Sequence, residues 1–87
     1  MPYVRLPSPM RPAVGGRDSV AVTGDTLRQA IDDLVTAYPA VKDRLLGPGG
    51  QLHPYLMVVV DGVEAEGLWM PLKPESEIVI IPAVGGG

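Results

Sequence analysis

The stretch Ile78-Val-Ile-Ile-Pro-Ala-Val-Gly-Gly-Gly87 divides at Pro82 into two unlike halves. Ile78 to Ile81 is a run of branched apolar residues, which suit the pleated and packed surface of a β-strand. Ala83 to Gly87 has no comparable set of side chains to pack. A strand that runs straight into glycines predicts a sheet that anchors the chain and a bare segment that leaves it. A carboxyl group at Gly87, carried on a rigid strand with no side chains beside it, is suited to enter a narrow protein channel. That reading requires the preceding residues to build a sheet.

The bulk properties permit this. Eighty-seven residues are enough for one domain that buries a core without covalent staples. No cysteine is present, which excludes a disulfide framework and a thiol nucleophile from the chain itself. With one histidine and no cysteine, a zinc site is not expected. The net charge of −3 argues against a nucleic-acid surface. No run approaches the roughly 18 apolar residues of a membrane span. The first residues also lack the layout of a signal peptide, so a soluble, cytoplasmic domain is expected.

Read forward, Tyr3-Val-Arg-Leu6 alternates, with Val4 and Leu6 on one face. Pro7, Pro9 and Pro12 then interrupt the ladder, since proline has no N–H to donate. Gly15-Gly16 marks a turn, and Val20 and Val22 resume the inward alternation. The first 23 residues therefore predict a β-hairpin with a long, proline-stiffened connection.

Gly24-Asp25-Thr26 opens the one strong helix. Thr26 and Gln29 have capping-box spacing, in which each side chain satisfies a free backbone donor. Leu27, Ala30, Ile31, Leu34, Val35 and Tyr38 form a single apolar stripe at helical period. Pro39 predicts an end near Tyr38. Val41 to Leu46 reads as a shorter helical turn. The Gly47-Pro-Gly-Gly50 cluster reads as a loop, because the lysine and Ser/Thr of a phosphate-cradling loop do not follow it.

Tyr55-Leu-Met-Val-Val-Val60 is the most apolar run and ends at the hairpin dipeptide Asp61-Gly62. Its continuous apolarity predicts a strand covered on both faces. One main helix shields only one face, which leaves the other to a partner or to the proline-rich connection. Val63 to Lys73 is expected to cross the sheet edge as a short strand or turn, with Trp69 as a packing residue. The final strand is expected beside the first, near the centre of the sheet. The fold class is α+β, a mixed sheet of about four to five strands packed on one main helix.

This order, with its short apolar last strand and terminal Gly-Gly, resembles the β-grasp sulfur-carrier proteins of the MoaD/ThiS type. The likeness spans nearly the whole chain. It is carried by Val4-Arg-Leu-Pro-Ser-Pro-Met-Arg-Pro, Gly15-Gly16, Gly24-Asp-Thr-Leu27, Tyr38-Pro39, Arg44-Leu-Leu46, Leu68 with Pro71-Leu-Lys73, and Ile80 to Gly87. The opening segment and Gln51-Leu-His53 look most like carriers that feed cysteine biosynthesis.

The resemblance implies a ubiquitin-like β-grasp domain over residues 1–82 and a glycine tail over residues 83–87. It implies no catalytic activity and no bound cofactor, with ATP consumed by a partner enzyme of the ubiquitin-activating type. That enzyme would adenylate the carboxyl of Gly87, and a sulfur donor would convert it to a thiocarboxylate. Ala83, Val84, Gly85 and Gly86 would occupy the partner's channel. An acceptor enzyme, such as a cysteine synthase or a molybdopterin synthase large subunit, would consume the sulfur. Two other roles share the tail chemistry, the small subunit of molybdopterin synthase and a ubiquitin-like modifier joined to lysines through Gly87. Gly85 stands where relatives usually carry Ala, Ser or Thr, which loosens the tail.

Among other candidates for chemistry, Asp32 and Asp33 are adjacent on the helix and point in different directions. His53 lies beside Pro54 with no nucleophile or metal-ligand spacing around it. An enzyme is not expected.

Overall fold

The computed structural model describes residues 1–82. Five strands form one sheet: β1 (Tyr3–Arg5), β2 (Ser19–Ala21), β3 (Leu56–Val60), β4 (Val63–Glu64) and β5 (Glu77–Pro82). Their order is β2-β1-β5-β3-β4, with β1 and β5 parallel and the other neighbours antiparallel. The last strand thus lies at the centre, beside the first. Two helices, α1 (Leu27–Ala37) and the single turn α2 (Lys42–Leu45), complete the regular structure with two 3-10 segments.

The stripe on α1 does what its period predicts. Leu27, Ala30, Ile31 and Leu34 are fully buried, and Val35 and Tyr38 pack half-buried against the same core. The sheet contributes Val4, Val20, Val58, Val60, Ile78 and Ile80 to that core. Burying one methylene stabilises by about 0.8 kcal/mol, so this layer is the main source of stability.

The start of α1 is satisfied from three directions. The Gln29 N–H donates to Thr26 Oγ1 at 3.3 Å, while Gln29 Oε1 accepts from the Asp25 N–H at 2.7 Å. The return bond reaches one residue before the N-cap, a variant of the expected box. The Leu27 and Arg28 N–H groups donate to the carbonyls of Met70 and Leu68. These first-turn donors have no partner within a helix, so the segment after β4 caps the helix. Gly24 makes the entry possible: its φ is +152°, and a Cβ there would lie 2.7 Å from the Ala30 nitrogen.

Three expectations change. The proline-rich connection is an ordered 3-10 helix, Ser8–Val14, which buries Met10 and Val14 and packs against Pro39–Val41. Proline at positions 9 and 12 suits this, because its φ lies in the 3-10 range and its missing N–H has few ladder bonds to lose. β3 is covered on one face only. Leu56, Val58 and Val60 are buried, whereas Met57 and Val59 are half-buried on the face away from α1. The proline-rich segment packs on the helix side and leaves that outer face open. Finally, Trp69 is 68% exposed and is not a core residue. Its neighbours Leu68 and Met70 take the burial, and their carbonyls are held by the helix N-terminus, which turns the indole outward.

Candidate functional site

β5 is held on both flanks. On one side Tyr3, Val4 and Arg5 pair in parallel with Glu77, Ile78 and Val79. On the other, Leu56 to Val60 pair with Pro82 back to Ile78. Ile78 and Ile80 point into the core at 0% and 2% exposure. Val79 and Ile81 lie on the open face, level with Val59 and Met57. Pro82 is the last described position in register, opposite Leu56. Lacking an N–H, it has nothing to donate to a continuing ladder.

The opposite end of β5 is also fixed. Asp61-Gly62 forms the two-residue turn between β3 and β4, with φ of +50° and +85°. The Asp61 carboxylate accepts from the Glu77 N–H at 2.9 Å and from the Ser76 hydroxyl at 2.7 Å. Ser76 Oγ in turn accepts from the Lys73 N–H at 2.8 Å and is 1% exposed. The Glu77 N–H and then the Ser76 hydroxyl hold the Asp61 carboxyl below the usual range, against the opposing effect of burial and with a lesser contribution from the charge of Lys73. Nothing in the sequence announced this joint, since 15 residues separate Asp61 from Ser76. The Asp-Gly dipeptide signalled the turn but not its second use.

The residues expected to carry the chemistry, Gly87 with Ala83, Val84, Gly85 and Gly86, lie outside the described residues. The described part presents the root of that segment at the end of the central strand. Beside it, Tyr55 stacks on His53 with ring centroids 4.9 Å apart. His53 Nε2 donates to the Asp43 carbonyl at 2.8 Å, so the ring serves to fasten α2 to the loop before β3. Asp33 accepts from the Thr23 N–H at 2.9 Å, while Asp32 faces Arg28 at 3.9 Å; the adjacent carboxylates do not share a site. Gly47 and Gly50 close a turn through the Gln51 and Gly47 carbonyls.

A mixed sheet of this order on one helix, with the central strand delivering the last residues, defines a ubiquitin-like β-grasp protein. The chain belongs to the ThiS family, whose profile matches residues 4–87. It is 35% identical to the sulfur carrier protein CysO of Mycobacterium tuberculosis, over 97% of this chain and 96% of that protein. The crystal structure of CysO from that organism superposes with a TM-score of 0.88, covering 97% of this chain and all of the other. A chain in the crystal structure of the Amycolatopsis orientalis BexX/CysO complex matches at 31% identity and a TM-score of 0.89, with both it and this chain covered in full. Small archaeal modifier protein 1 of Haloferax volcanii is 38% identical over 78% of each chain. Among the described residues, no helix is long and apolar enough to cross a membrane.

Proposed function

We propose that this chain is a sulfur carrier that works through the carboxyl group of Gly87, with cysteine biosynthesis as the destination of the sulfur. The observation that supports it most is the position of β5. The strand leading to the glycines is paired on both sides in the sheet, and its described register runs to Pro82. Five residues beyond Pro82 span at most about 16–18 Å. A partner's active site at that depth receives the carboxyl while the folded body stays outside.

The chemistry follows from the carboxyl group. A carboxylate is a poor electrophile, so one of its oxygens first attacks the α-phosphorus of ATP in the activating enzyme, and pyrophosphate leaves. Hydrosulfide delivered by the sulfur donor then attacks the acyl carbon, and AMP departs with the oxygen. The product is a thiocarboxylate, anionic at neutral pH, and the anionic form of sulfur is the nucleophile toward the acceptor. The carrier supplies no acid or base to these steps. Its part is to present the tail and to offer the open face of Met57, Val59, Val79 and Ile81 as a flat apolar seat next to it.

Incubation with ATP, a cognate activating enzyme and a sulfur source, followed by intact-mass measurement, tests this. The expected product carries sulfur in place of one oxygen, and deletion of Gly86 and Gly87 abolishes it. An unchanged mass with a competent activating enzyme overturns the reading. The similarity to a small archaeal modifier supports a second use of the same tail, conjugation to lysine amines. Tagged protein in cells separates the two: a ladder of conjugates supports the modifier, and a single small species supports the carrier.

A further inference from the structure

Trp69 is the most exposed large hydrophobic residue among those described, at 68%, yet it is not loosely placed. The indole lies across Gly67. A Cβ at Gly67 would sit 2.7 Å from indole Cδ1 and closer still to Nε1. Gly67 does not have a positive φ, so no turn demands a glycine there. Its use is to let the indole come against the backbone while most of the side chain meets solvent. The flanking backbone is fixed, because the Leu68 and Met70 carbonyls accept from the first turn of α1.

Gly67 also lines a groove of about 250 Å³ between the loop after α2 and the edge of β3 beyond β4. Its walls are Leu52, Leu56, Met57 and Leu68, with Glu64 and Glu66 at the rim. Neither glutamate forms an ion pair among the described residues. The nearby cation, Arg28, is occupied by the Gly50 carbonyl at 3.1 Å and by Asp32. An apolar trough and two free carboxylates therefore adjoin one another, and the tryptophan ring lies next to them, against Gly67 of the groove wall. The carboxylates and the negative ring face both attract a cation.

We propose that this groove is a docking site for a short extended segment of a partner protein in which a basic side chain neighbours an aliphatic one. The aliphatic side chain enters the trough, and the cation lies against Trp69 and the two glutamates. The two free carboxylates select a basic peptide over an acidic one and disfavour an anionic lipid surface. The proposal does not depend on sulfur transfer.

Trp69 is the only tryptophan, so its fluorescence reads this site alone. Full-length protein is titrated at physiological salt with a blocked hexapeptide of alternating Arg and Leu, and with its Glu-Leu counterpart. A saturable change in emission with the Arg-Leu peptide below about 1 mM is expected, with none from the Glu-Leu peptide. The Glu64→Lys/Glu66→Lys variant, whose substitutions are at exposed positions and whose fold is verified by circular dichroism, should bind at least about tenfold more weakly. Gly67→Ala should displace the ring and weaken binding while leaving unfolding by urea cooperative. Absence of a saturable change, or equal binding by the double variant, overturns the proposal. So does an emission shift that grows with protein concentration alone together with a sedimenting dimer, which assigns the face to a second copy.

Discussion

Ser76 Oγ donates to Asp61 Oδ2 across 2.7 Å and so ties the β3–β4 turn to the residue before β5. Asp61→Ala removes this bond and the one from the Glu77 N–H, and it places alanine at a positive φ. A loss of about 1–3 kcal/mol in urea unfolding is expected. The effect depends on pH with a defined sign. The folded carboxyl titrates below its ordinary value, so its contribution is fully present above the unfolded pKa of about 3.9. It disappears as pH falls from there through the lower folded value. The electrostatic part of the difference between wild type and Asp61→Asn should therefore be constant near pH 6 and shrink below about pH 4.

Leu34 is completely buried between α1 and the sheet. Leu34→Ala should cost about 2–5 kcal/mol, the range for a buried leucine whose cavity relaxes only partly. Chemical denaturation with an unchanged slope checks it. A shift below about 1 kcal/mol would mean that the layer is more loosely packed than described.

Gly24→Ala introduces a Cβ against the Ala30 nitrogen and the Gln29 side chain, at a φ that side chains rarely adopt. The start of α1 must shift. We expect a larger loss of stability than for Thr26→Ala, which removes only a cap and costs about 1 kcal/mol. Thermal melts of the two variants side by side decide this.

Ile81 is half-buried on the open face, level with Met57 and next to Pro82. Ile81→Asp puts a charge at the root of the tail without entering the core. The fold should persist by circular dichroism, while the rate of adenylation by an activating enzyme falls about tenfold or more. An unaffected rate would show that the partner does not seat on this face.

The parts legible in the sequence are those set by local period. The stripe from Leu27 to Leu34, the inward Val4, Val20 and Val22, and the placing of Ile78 to Ile81 at the centre all followed from spacing and from the absence of charge. The Asp61-Gly62 turn followed from its dipeptide. What was not legible depends on tertiary placement. The apolar run through β3 suggested two covered faces, but Met57 and Val59 are only half-buried, beside their register partners Ile81 and Val79. Trp69 was expected inside because of its size, yet hydrogen bonds from α1 to the residues on either side fix it outside. Ser76, between two glutamates, gave no sign of being among the most buried residues.

The sheet order also has a mechanical consequence. The bonds that hold β5 to β1 and to β3 run across the strand, whereas a pull on the residues after Pro82 runs along it. Such a force loads both ladders in shear, and many bonds must fail together instead of one at a time. If the proposed partner draws the residues after Pro82 inward, the force runs along β5 and is shared by the bonds to both of its neighbours.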